Sequence, residues 1–284
     1  MPMMMKTQTR RLWLLLPILS CSAHAQWLNY PAPGTPRTRD GKPNLAAPAP
    51  RASNGKPDLS GVWHVQPASL AEMKRLYGND VGETSLPGME PDTVSKYAIN
   101  ILVDFKPEDS PMRKEAAEVL RRRVPGSNPA DQCLPMGIPF AFLVSEADKI
   151  VQTPGVLVMM FESADAHRQI YTDGRPLPQD PEPAWLGYSV GRWDGDTLVV
   201  QTAGFNDKTW LDAMGHPHSD ALRVTERYHR RDFGHLDLEI TFDDPKMYTR
   251  PFAIKVTQEL LADSDILEFF CNENEKDRAH AARK

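Results

Sequence analysis

Three cysteines in 284 residues are too few for a disulfide-dense scaffold, and they contain no C-x-x-C pair to hold zinc. No run spans a bilayer either. The longest apolar stretch, Leu12 to Leu19, is far shorter than the roughly 20 residues a membrane helix needs. Basic charge is not in excess: 33 Lys and Arg stand against 38 Asp and Glu, which argues against nucleic acid as a partner. A P-loop, a dinucleotide glycine fingerprint and a helical His-Glu-x-x-His are all missing, and no Gly-x-Ser-x-Gly nucleophile elbow is expected. These absences remove the usual signatures of nucleotide, nicotinamide and zinc-protease chemistry. An enzyme reading is left with no cofactor and no metal.

What the chain does have begins at its start. Lys6, Arg10 and Arg11 precede the apolar run, and Ala23-His24-Ala25 follows it, the layout of a secretory signal peptide cut near Ala25. A periplasmic or secreted protein is expected, residues 1–25 being the signal. Cys21 gives a weaker, lipid-anchored alternative. Removing Lys6, Arg10 and Arg11 leaves 30 basic residues against 38 acidic. Cys133 and Cys271 then remain as an even pair in an oxidising compartment, and a disulfide between them is the first reading.

Residues 26–57 hold seven prolines and the near-duplicate phrases "DGKPNL" at Asp40 and "NGKPDL" at Asn54. Such a segment should run extended as an arm, over its own domain or over a neighbouring subunit in a homo-oligomer. Residues 58–284 form the expected globular domain. Two short helices are predicted there, "SLAEMKRLYG" with a Ser69/Glu72 capping box and "SPMRKEAAEVLRRRVP" with Ser110 as cap and Pro125 as stop. The charges of the second, including Arg121, Arg122 and Arg123, read as a solvated face.

From Lys149 onward the hydrophobic period becomes two. Strand-like runs extend to "DILEFFC", and Asp173-Gly174 and Asp194-Gly195 signal tight hairpins between them. So many antiparallel strands must manage their edges, and closure into a single β-barrel does so. A sandwich is the alternative.

The phrases "NGKPDLSGVW", "RQIYTDGRPLP", "GYSVGRWDGDTLVVQTAGFNDKTWLD", "GHPHSDALRVTERYHRRD" and "FFCNEN" resemble, in this order, a widespread family of secreted bacterial proteins. The likeness covers about residues 40 to 275. The opening Gly-x-Trp strand is similar to that of lipocalin-type barrels. The resemblance implies a lipocalin-like barrel and cofactor-free chemistry on plant aromatics, such as cleavage of lignin-type aryl ethers.

Chemistry is sought where polar groups cluster. In "GHPHSDALRVTERYHRRD" the even positions of the strand, Leu222, Val224, Glu226, Tyr228 and Arg230, face inward, while Arg223, Thr225, Arg227, His229 and Arg231 form a polar outer face. An inward Glu226 is either a base with a raised pKa or half of a structural pair with an arginine. His218 approaches from the preceding loop as a proton carrier, whereas His216 reads as a hydrogen-bonded surface residue. Glu162 and Arg168 stand at facing ends of two strands, a carboxylate base and an oxyanion-stabilising cation. Tyr171, Arg175, Trp210, Asp212 and Tyr228 are the candidate ligand contacts. The expected ligand is a bulky aromatic or hydrophobic small molecule, turned over by Glu226, Glu162, His218 and Arg168 or carried unchanged.

Overall fold

The computed structural model describes residues 31–78, 93–124, 127–164, 166–268 and 270–271. The signal-peptide reading therefore lies outside the described residues. Nine strands close into one barrel in sequence order. After β1 (Gly61–Val65) come three short helices, α1 (Leu70–Tyr77), α2 (Lys96–Ile99) and α3 (Lys114–Arg122). The remaining strands are β2 (Asp148–Thr153), β3 (Val156–Phe161), β4 (Ala166–Tyr171), β5 (Tyr188–Asp194), β6 (Thr197–Ala203), β7 (Arg223–Arg230), β8 (His235–Asp243) and β9 (Phe252–Leu260). β1 pairs antiparallel with both β2 and β9, which closes the ring.

An odd number of strands cannot close with every neighbour antiparallel. One pair must run parallel, and it is β4 with β5, joined through only Ile170↔Ser189 and Tyr171↔Val190. Asp173-Gly174 accordingly closes no hairpin. Residues 172–187 instead return along the barrel so that β5 starts at the same end as β4. Asp194-Gly195 does sit in the β5–β6 hairpin, where Asp194 pairs with Thr197.

The lumen is packed rather than hollow. Leu198, Val200, Leu238, Ile240 and Ile254 point inward with almost no exposure, as the alternation of "HLDLEITF" requires. Arg230 seals one end: its guanidinium lies 4.9 Å over the Trp63 ring and donates to the carbonyls of Asp58, Ser60, Asp232 and Phe233. Gly61 is required beside it. Its φ is +151°, and a Cβ there would sit 2.4 Å from Leu260 Cδ1. The opposite end is plugged by Ile101, Ile138, Phe140, Phe142 and Leu143 from the long β1–β2 connection.

The helix starts needed correction at α3. Ser110 does not cap it, because Met112 bridges to Tyr248 and the Arg113 N–H donates to Met247 O, so the helix begins only at Lys114. α1 starts as read, with Ser69 accepting from the Glu72 N–H. "DILEFFC" forms no strand among its described residues. It carries Cys271 to its disulfide with Cys133, 138 positions earlier.

The described part of the arm lies on its own barrel, and its duplicated phrases fold as duplicated turns. Arg37 bridges to Pro43 and Arg51 to Pro57; each arginine donates to the carbonyl of its turn glycine, Gly41 or Gly55. Each also grips a barrel carboxylate, Arg37 to Asp263 at 2.6 Å and Arg51 to Asp196 at 2.7 Å. Among the described residues no helix is long and apolar enough to cross a membrane.

Candidate functional site

The residues singled out in the sequence fall into three places. The first is the lumen. β7 alternates as expected, with Val224, Glu226, Tyr228 and Arg230 buried and Arg223, Arg227 and His229 exposed. Glu226 meets Arg168 from β4 in a bidentate pair, Nη1 to Oε1 at 2.9 Å and Nη2 to Oε2 at 2.5 Å. The two side chains come from strands separated by β5 and β6. The guanidinium can cross them because the intervening inward residues are small: Ser189 accepts from Nε at 2.9 Å, Thr202 accepts from Nη2 at 2.7 Å, and Gly191 has no side chain. Tyr228 donates its hydroxyl to Glu226 Oε1 at 2.7 Å.

Of the two roles open to Glu226, the geometry matches the structural pair. Its carboxylate is wholly buried and accepts three hydrogen bonds, so a ligand outside the lumen cannot reach it. Burial works against the charge of Arg168, but the adjacent Glu226 outweighs it and holds the guanidinium pKa above its ordinary value. The Tyr228 phenol is pushed well up by burial, with the Glu226 charge adding to it.

A second buried acid lies in the same lumen and was not legible as a site residue. Asp148 on β2 is 2 % exposed and accepts only from Gln258 Nε2, at 2.8 Å. Its Oδ2 and Gln258 Oε1 have no partner among the described residues. Burial pushes its carboxyl up to about 7. The available signal was its period-two register with Ile150 and Gln152.

The second place is the loop between β6 and β7, in the plugged end. His218 is buried, with Nδ1 3.2 Å from Ser219 O and Nε2 2.7 Å from Thr209 Oγ1. A carbonyl only accepts, so Nδ1 carries the proton and Nε2 accepts from Thr209. Burial lowers the His218 pKa. Both ring nitrogens are occupied, which leaves it no proton to exchange with a ligand in this arrangement.

His216 is the correction here. It is not a surface residue: it is 4 % exposed and its Nδ1 sits 2.5 Å from Asp212 Oδ2. Asp212 is no lid residue but a wholly buried hub, accepting also from the N–H groups of Ile101, Gly215 and His216. His216 Nε2 has no hydrogen-bond partner among the described residues. An imidazole oriented by a carboxylate through Nδ1, with Nε2 open, has the form of a general base. Trp210 is likewise buried, under the Arg123 guanidinium.

The third place is the outer seam between β4 and β5. Because these strands share only two residue pairs, they splay toward the β4 start and leave a groove of about 410 Å³. Tyr171, Trp185, Tyr188, His167 and Gln169 line it, and Arg168 and Ser189 border it although their side chains are buried in the lumen. The Tyr171 and Tyr188 rings stack at 5.3 Å. Arg175 lies 3.8 Å from the Tyr171 centroid, bonded to Asp173 and to the Tyr188 hydroxyl. Arg175 is thus neither a free clamp nor a lumen residue.

Glu162 stands apart from all three. The residue opposite Arg168 is Met159, and Glu162 lies beyond the end of β3. Partial burial raises its pKa against a backbone hydrogen bond from Leu267, with Glu146 adding a like charge. Glu162 and Glu226 therefore do not share a site. The expectation of no Gly-x-Ser-x-Gly elbow is corrected by the sequence itself: Gly187-Tyr188-Ser189-Val190-Gly191 has that spacing. Ser189 instead lies within β5, pointing inward onto Arg168 and Thr202, with no strand–turn–helix around it.

Among the described residues no three His, Cys, Asp or Glu side chains are grouped to hold a metal ion. Compared with known proteins, the chain matches no family model, no curated protein and no solved structure.

Proposed function

We propose that this is an exported β-barrel that binds a bulky aromatic small molecule in the β4–β5 groove. The observation that carries the reading is the composition of that groove. Three aromatic side chains wall a concave surface at the one seam where the strand pairing is minimal, with the polar side chains of His167 and Gln169 beside them. Aromatic walls supply most of the contact area for a planar ligand, and a few polar groups fix its orientation. The packed lumen and the paired Arg168 and Glu226 favour a carrier over a lumenal enzyme.

Cofactor-free turnover is the second reading, favoured by the Asp212–His216 pair with its open Nε2. In it the imidazole takes a proton from a ligand hydroxyl or from water, and an aryl ether is the proposed substrate class.

Fluorescence titration with a dimeric methoxyphenol β-aryl ether tests the first reading. Saturable binding that weakens at least tenfold in Trp185→Ala and Tyr188→Ala, with the dimer recovered intact by mass, is the expected result. Unchanged affinity in both variants overturns the groove assignment. Products that form with the native chain and vanish with His216→Asn would favour turnover instead.

A further inference from the structure

Four described arginines are partly or wholly buried: Arg113, Arg123, Arg168 and Arg230. Three of them place their donors on acceptors, Arg113 on Tyr248 O, Arg168 on Glu226 and Arg230 on backbone carbonyls. Arg123 does not. Its Nε is buried without a partner, and its guanidinium has neither a hydrogen bond nor an ion pair among the described residues. Its one polar contact is with a ring: Cζ lies 4.7 Å over Trp210.

The Trp210 indole beneath it is also unsatisfied. Trp210 is 5 % exposed, and its Nε1–H has no partner among the described residues. Two buried donors on adjoining side chains, neither paired among the described residues, are rare where buried polar groups are almost always satisfied. Among the described residues no carboxylate offsets the desolvation that lowers the Arg123 pKa. Burial lowers the pKa of nearby His218.

From this arrangement we infer that Arg123 and Trp210 form a subsite for the carboxylate of a small organic acid. With its Cζ over Trp210 and no hydrogen bond on its guanidinium among the described residues, Arg123 keeps unpaired N–H donors, and a planar two-oxygen anion matches such a fork. Burying one face against Trp210 fixes the plane of the fork before a ligand arrives, so little side-chain freedom is lost on binding. The local sequence maintains the stack. Gly215 has φ +93°, and a Cβ there would stand 3.1 Å from Arg123 Cγ and 3.3 Å from the Trp210 ring. The chain turns past the pair at a position where a side chain would press on both. Arg121 and Arg122, by contrast, are exposed on the same helix. The subsite does not depend on the β4–β5 groove.

The test is an NMR titration of the full ¹⁵N-labelled chain with benzoate at constant ionic strength, chloride making up the balance. The Trp210 indole N–H resonance is assigned by Trp210→Phe. A saturable shift of that resonance is expected, weakened at least tenfold in Arg123→Gln, weakened several-fold in Arg123→Lys, and unchanged in Arg121→Gln. The lysine variant keeps the charge without the fork and stands in should the glutamine variant fail to fold. No saturable shift, an equal shift with chloride alone, or equal affinity in the lysine and native chains would overturn the inference. The Trp185 indole reports the groove separately, so failure at one site is distinguishable from failure at the other.

Discussion

Replacing Glu226 by glutamine removes one charge from a pair that water does not reach. The side chains of Arg168 and Glu226 are 1 % and 0 % exposed, and two hydrogen bonds of 2.9 and 2.5 Å join them. At roughly 4 Å between charge centres and an effective dielectric of about 20, their attraction is about 4 kcal/mol. Glutamine fills the same volume and still accepts from Tyr228, so no cavity forms. What remains is an arginine whose desolvation is no longer offset, and a loss of about 3–5 kcal/mol is expected. Arg168→Met should cost about as much, since it strands the carboxylate. The double variant Arg168→Met with Glu226→Gln removes both charges and should lose less than the sum of the singles by about 3 kcal/mol or more. Urea unfolding followed by tryptophan fluorescence measures all three. A Glu226→Gln loss below about 1 kcal/mol, or simple additivity, would refute the argument that this pair holds the lumen together electrostatically.

Other perturbations follow from single features. Asp148 has a folded pKa of about 7 against an ordinary 3.8, so the folded chain holds a proton that the unfolded chain releases between those values. Stability should therefore fall as pH rises from about 4 to about 7. Asp148→Asn should flatten that slope and be the more stable protein by a few kcal/mol at pH 8; parallel pH profiles of the urea midpoint would contradict this. The Cys133–Cys271 bond closes 138 positions of chain, and its loss in a double alanine variant should cost up to about 5 kcal/mol by loop entropy, read as a lower urea midpoint. An unchanged midpoint would show that the tail it ties down adds nothing. Gly61→Ala should destabilise by about 1–3 kcal/mol through the clash with Leu260 and the unfavourable φ; a thermal scan within error of the native chain would contradict it.

The fold was legible where a physical pattern is local. Period-two alternation gave the faces of β7 residue by residue, and the even pair of cysteines gave the disulfide. Closure has a consequence that no local pattern carries. A ninth strand forces one parallel pair, which turns Asp173-Gly174 from a hairpin into an ordinary bend. The start of α3 was misplaced because a tertiary bridge between Met112 and Tyr248 holds the segment that Ser110 would have capped.

The site was less legible, for reasons of distance. Arg168 and Glu226 are 58 positions apart and meet only because β5 and β6 present small residues between them. Sequence reasoning placed each inward or polar but could not join them. His216 was set aside because a loop histidine is usually wet, and only the fold shows Asp212 buried four residues earlier to receive it. Arg123 was grouped with two solvated neighbours in a charge run, although it alone turns onto Trp210.

The central claim is that the β4–β5 seam is where a ligand binds. It is tested most directly by mapping amide shift changes on the ¹⁵N-labelled chain during titration with the dimeric aryl ether. Saturable changes concentrated at residues 166–171 and 184–189 are the predicted result. Saturable changes confined to other parts of the barrel, or no saturable change, would contradict it.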